Sequence, residues 1–132
     1  MKELSVRSRD RTELVDVTSL VAEAVAGESG SLVTVFVPHT TAGIVVQAAG
    51  PGATAVAGDV AAALDRLVDE RGPWEHTREG DRNPWAHVRA ALTASSVSIP
   101  LVDGELMLGA HQAIFLAEFD GPRERTLRVT VT

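Results

Sequence analysis

Four strand-like runs crowd the C-terminal end of this 132-residue chain: Val97 to Val102, Glu105 to Leu108, Ala113 to Phe119 and Thr126 to Val131. Turns such as Asp103-Gly104 and Asp120-Gly121-Pro122-Arg123 link them, and neither is long enough to hold a crossover helix. The strands are therefore expected to run antiparallel, which argues against a doubly wound parallel sheet. The predicted class is α+β: a mostly antiparallel sheet with two to three helices packed on one side. At 132 residues, with no internal repeat, low-complexity tract or separating linker, the chain reads as one domain spanning residues 1–132.

Upstream, strands alternate with helices. Leu4 and Val6, then Leu14, Val15 and Val17, flank the polar Ser8-Arg9-Asp10-Arg11, which predicts an opening hairpin. Thr18 is the expected N-cap of a short helix over Ser19 to Ala26, with Gly27 ending it in a left-handed conformation. Ser31 to Val37 and Gly43 to Val46 are β-branched runs, so His39-Thr40-Thr41 falls at a junction between strands. Thr54 to Glu70 carries Val56, Val60, Leu64, Leu67 and Val68 at helical spacing. Residues Arg71 to Trp85 show no periodicity and form a long loop, and Ala86 to Ala94 predicts a third helix with His87 in its first turn.

Composition narrows the chemistry. Hydrophobic residues at 45% suffice for a core, and a net charge of -6 is a poor overall field for holding nucleic acid, so any anion must be held locally. Without cysteine there is no disulfide, thiolate nucleophile or Cys-ligated zinc, leaving His, Asp and Glu as metal donors. The opening residues do not resemble a secretory signal, and the most apolar stretch, Ala42 to Val68, is interrupted by Gln47, Pro51, Asp59 and Asp65. No membrane partner and a cytoplasmic location are the expectations.

Four polar clusters stand out: His39-Thr40-Thr41, Trp74-Glu75-His76, Asn83 with His87, and Asp120 to Arg125. Each has two readings. His39 either caps a turn or serves a site. His76 and His87, eleven positions apart, match no standard zinc spacing. Asp120 either caps its own turn or binds a ligand. Arg123 and Arg125 are expected to leave opposite faces of an extended segment, so that only one enters a given pocket. Asp59 either faces solvent or interrupts its helix for a functional reason.

Taken in order, PHTTAGIVV at Pro38 to Val46, WEH at Trp74 to His76, NxxxH at Asn83 to His87, GELxLGxxQ at Gly104 to Gln112 and EFDGPRxR at Glu118 to Arg125 resemble the YjbQ family. The match covers nearly the whole chain. Members are described as secondary thiamine-phosphate synthase enzymes, so the resemblance implies a small α+β homotrimer. It also implies transfer of a pyrophosphorylated pyrimidine group to a thiazole phosphate. Carried over, it places His39, His76 and His87 in one catalytic site holding a divalent metal, zinc or magnesium. Thr40, Thr41, Asn83, Gln112, Asp120, Arg123 and Arg125 would bind the phosphorylated substrate.

Three histidines leave a metal position open for water or substrate. The alternatives are a homotrimer that binds a metal or phosphometabolite without turnover, and a metal-dependent hydrolase. The chain also departs from the family pattern. Gln47-Ala48 replaces an Asn-Glu pair, Trp74 a usual Tyr, and His111 a usual Trp. His111 is then either a fourth ligand or an exposed imidazole.

Overall fold

The computed structural model describes residues 1–76 and 83–132, so the middle of the predicted 71–85 loop lies outside the described residues. The chain contributes β1 (Lys2–Arg7), β2 (Glu13–Asp16), α1 (Thr18–Val25), β3 (Leu32–Phe36), β4 (Ala42–Ala48) and α2 (Ala53–Leu67). Then come α3 (Pro84–Leu92), β5 (Ser96–Val102), β6 (Glu105–Leu106), β7 (Gln112–Glu118) and β8 (Glu124–Val131). Strands run antiparallel throughout, as expected, but they form two sheets rather than one: β1-β8-β3-β5-β6 and β2-β7-β4.

Alternation along the strands explains why two sheets form. Val33, Val35, Leu127 and Val129 of the larger sheet, Ile44, Ile114 and Leu116 of the smaller, and Val21 and Val25 of α1 make one buried cluster. Strand β7 is the centre of the smaller sheet and is covered on both faces, which is why Ala113 to Ala117 is continuously apolar. Its second face, at Ala117 and continuing to Phe119, packs with Ala86 of α3 and half-buried Leu64 of α2. Helices α2 and α3 thus flank only the smaller sheet.

The predicted opening hairpin does not form. β1 pairs with β8 and β2 with β7, so residues 8–12 carry the chain from one sheet to the other. Buried Ser8 drives this: its N–H donates to the Arg123 carbonyl at 2.9 Å and its hydroxyl to Glu118 at 2.7 Å. The Asp120 to Arg123 segment is likewise a crossing between sheets and not a hairpin turn, since it joins β7 to β8 and contains a cis Gly121–Pro122 bond. A Cβ on Gly121 would meet the Asp10 carbonyl oxygen at 2.2 Å, so the two crossings touch backbone to backbone and only glycine fits. By contrast Asp103-Gly104, both at positive φ, forms the expected tight turn between β5 and β6.

Thr18 does not cap α1. It is the first helical residue, and its hydroxyl accepts the Ile114 N–H at 2.9 Å, tying the helix start to β7. Gly27 does take the left-handed conformation, φ 75°. Helix α3 begins two residues earlier than its apolar pattern suggests, because Pro84 suits the first helical position. Asp59 is exposed on α2. No described helix is long and apolar enough to cross a membrane.

Candidate functional site

β3 ends at Phe36, and residues 37–41 turn the chain into β4 beside the start of α3 and the β7–β8 crossing. A cavity of about 530 Å³ opens there, lined by His39, Thr40, Thr41, Asn83, His87, Arg123 and Arg125 among others. Two arginines, two histidines and two threonines from three separate chain segments thereby share one space. The expectation that only one arginine enters is corrected. The two are separated by a single residue, Glu124, and extended backbone returns every second side chain to the same face.

The arginines are held differently. Arg125 is buried, donating from Nε to Glu118 at 2.8 Å and from Nη2 to the Thr41 hydroxyl at 2.9 Å, with a further bond from Nη2 to Glu118. Arg123 is exposed, its Nη2 donating to Asp120 Oδ2 at 2.6 Å and its Nε to the Asp120 carbonyl at 2.8 Å. Among the described residues, Nη1 of each makes no hydrogen bond, the bonds coming from Nε and Nη2. Asp120 Oδ2 also accepts from Asn83 Nδ2 at 2.8 Å. Asp120 is therefore a bracket that orients Arg123 and Asn83, with one carboxylate oxygen, Oδ2, shared by a cationic and an amide donor.

Glu118 is the group that the sequence reading missed. Fully buried, it accepts from Ser8, Arg125 and the Asp120 N–H, the last at 3.0 Å. Burial alone would raise its carboxyl, but the bonds from Arg125, Ser8 and the Asp120 N–H outweigh that and hold it below the usual carboxylate range. The available signal was a carboxylate closing an apolar strand with an arginine seven residues on, because a buried charge demands a partner.

His39 Nε2 accepts the Thr126 N–H at 2.9 Å, which fixes the ring and requires that nitrogen to be unprotonated. Burial, then the Arg125 charge, lowers its pKa from the ordinary histidine value, so the neutral form dominates near neutrality. His87 also faces the cavity, and its Nε2 is buried without a partner among the described residues, as is Oδ1 of Asn83. On its other side His87 borders an apolar cleft with Trp74, Glu75 and His76. The rings of His76 and His87 meet edge to face, centroids 5.2 Å apart.

A metal on His39, His76 and His87 needs three rings converging on one point. The structure brings His76 to His87 and His87 to His39, but His39 Nε2 is engaged by backbone. Among the described residues no group of three or more His, Asp or Glu side chains is placed to hold a metal ion. The described donors do not fit such a centre. Gln112 stands at the opposite end of β7 from Glu118, where its Oε1 accepts the Gly109 N–H at 2.8 Å. Gln47 and Ala48 lie beside it, paired with Ala113 and Gln112, and His111 there is exposed.

Fold and site together define a small α+β domain with a polar cavity lined by two arginines, two histidines and two threonines. Residues 2–132 match a family model described as UPF0047 protein YjbQ-like. A UPF0047 protein of Archaeoglobus fulgidus is 36% identical over 127 residues, covering 96% of this chain and 97% of the relative. UPF0047 protein YugU of Bacillus subtilis is 36% identical over 132 residues, covering 96% and 94%. Among solved structures, an uncharacterised conserved protein of the yjbq/upf0047 family from Clostridium acetobutylicum superposes with a TM-score of 0.89 at 36% identity, covering 100% of both chains. A conserved hypothetical protein from Thermus thermophilus does so with the same TM-score, identity and coverage. The chain belongs to the YjbQ/UPF0047 family.

Proposed function

We propose that this protein is a small-molecule enzyme whose cavity binds the phosphate of a phosphorylated substrate. One observation carries the reading: Arg123 and Arg125, each pre-positioned by a carboxylate and each with Nη1 uncommitted among the described residues, face the same space as His87, whose buried Nε2 lacks a partner among them. Fixed guanidinium donors recognise phosphate oxygens at low entropic cost.

The reaction that the family resemblance suggests fits those groups. A thiazole nitrogen attacks the methylene of a pyrimidine pyrophosphate, an N–C bond forms, the C–O bond to pyrophosphate breaks, and negative charge accumulates on the leaving group. Arg123 and the Thr40 and Thr41 hydroxyls stabilise that charge where it develops, and His87 provides the proton that a departing phosphate takes up. Neutral His39 holds the wall of the cavity through Thr126. No covalent nucleophile is required.

Calorimetric titration with a phosphorylated thiamine precursor, followed by product analysis, tests the reading. Saturable binding is expected, and Arg123→Met should weaken it by roughly 10–100-fold, the value of a lost charge-assisted hydrogen bond. Absence of binding by folded wild type would sink the proposal. Binding without product would select the non-catalytic phosphometabolite-binding alternative.

A homotrimer belongs to the same proposal. Gln112 and the Gln47-Ala48 pair, joined to the site by the resemblance, lie about 20 Å along β7 and β4 from Glu118. A neighbouring chain that seats this far end on the cavity would unite the two. Leu67, Val88 and Leu92 are exposed and α2 fully buries none of its residues, leaving apolar surface for such a neighbour. Sedimentation should give three times the 13.9 kDa chain mass, and dilution to monomers should abolish activity. An active dilute monomer would refute this assembly.

A further inference from the structure

Asn83 is 4% exposed and lines the cavity, yet its Oδ1 has no partner among the described residues, while its Nδ2 is committed to Asp120. The Asp120 bond fixes which way the amide points, because a carboxylate can receive only the NH₂ side. An acceptor is thus held, buried and unpaired among the described residues, on a side chain that lines the cavity of the two arginines. A fully deprotonated oxyanion has only lone pairs to offer, and those repel Oδ1. A buried acceptor left unpaired is expensive, so an occupant that satisfies it gains over one that does not.

We propose that Asn83 Oδ1 reads a hydrogen-bond donor on the bound anion, the P–OH of a monoprotonated phosphate, so that the cavity takes phosphate and rejects sulfate. The inference rests on the phosphate-binding reading above and adds the specificity-determining atom. Its donor set divides the labour. Nη1 of Arg123 and of Arg125 meets the charged oxygens, and Asn83 Oδ1 meets the protonated one. Sulfate, with no proton near neutral pH, satisfies the arginines and leaves Oδ1 unpaired. Asp120 does not serve as the reader, because Asn83 and not Asp120 is among the residues that line the cavity, and Asp120 Oδ2 is occupied by Asn83 and Arg123.

The test is calorimetric titration of the full chain with inorganic phosphate and with sulfate at pH 6.5 and constant ionic strength. Wild type is expected to prefer phosphate by at least about tenfold. Asn83→Leu, which removes the acceptor at similar volume, should weaken phosphate by about that factor, leave sulfate nearly unchanged and bring the ratio close to one. Asn83→Ser, which keeps a donor for Asp120 while withdrawing the amide carbonyl, should show the same loss of preference and serves if the leucine variant does not fold. Equal affinities in wild type would overturn the inference while leaving the phosphate site standing, as would retained preference in a folded Asn83 variant. Failure of wild type to bind either anion would overturn the phosphate reading itself, and this inference with it.

Discussion

Glu118→Gln is expected to destabilise the protein by about 3–5 kcal/mol, the cost of leaving one partner of a buried ion pair uncompensated. Arg125 would keep its charge at 4% exposure with only Thr41 and a neutral amide oxygen to receive it, and Ser8 would lose a carboxylate acceptor. The damage would extend beyond one pair. Through Ser8 the same carboxylate holds the crossing after β1, and through the Asp120 N–H it holds the crossing after β7. Urea unfolding at neutral pH measures the effect, and a change under about 1 kcal/mol would show that the network is incidental.

The wild-type protein should lose stability on acidification in two stages, with the sign set by linkage. His39 and Glu118 both have folded pKa values below their ordinary ones, 6.5 and 4.5. In each case the unfolded chain binds protons first, so the stabilisation is fully present above the ordinary value and is lost as pH falls through the folded one. His39 contributes the upper stage, beginning below about pH 6.5, and Glu118 the lower, beginning below about pH 4.5. Glu118→Gln should flatten only the lower stage. His39→Gln should flatten only the upper one.

His87→Gln is expected to lower turnover of the phosphorylated substrate by about 10²–10⁴-fold, the range for removing a general acid or base, with little change in substrate binding. Glutamine keeps a polar group at the junction between the polar cavity and the Trp74 cleft but carries no titratable proton. Steady-state kinetics beside calorimetry separates the two effects. Equal losses in binding and turnover would reassign His87 to positioning the ligand, and unchanged turnover would remove it from the chemistry.

Much of this was legible in the chain because it depends on local pattern. Short β-branched and apolar runs marked β3, β7 and β8, period 3.6 marked α2, and Asp103-Gly104 marked its hairpin, since each signal arises within a few residues. His39, Thr41, Asn83, His87, Arg123 and Arg125 were named from residue type, cluster and family resemblance, and the fold brings all six to one cavity. Gln112 was named with them and lies at the other end of β7, because motif order along a chain carries no information about which end of a strand faces a site.

Sequence by itself determined the antiparallel α+β class, since turns this short cannot hold parallel crossovers, and it determined that no disulfide holds the fold, since the chain has no cysteine. Tertiary structure alone decided that the strands divide into two sheets. Residues 8–12 and 119–123 cross between them, because that division lets one apolar layer close between β3, β8, β4 and β7. It alone decided that Glu118 is the buried anchor of the site. A carboxylate at a strand end is solvated or buried according to what folds over it, and here Ser8 and Arg125, 110 positions before and seven after, arrive to satisfy it.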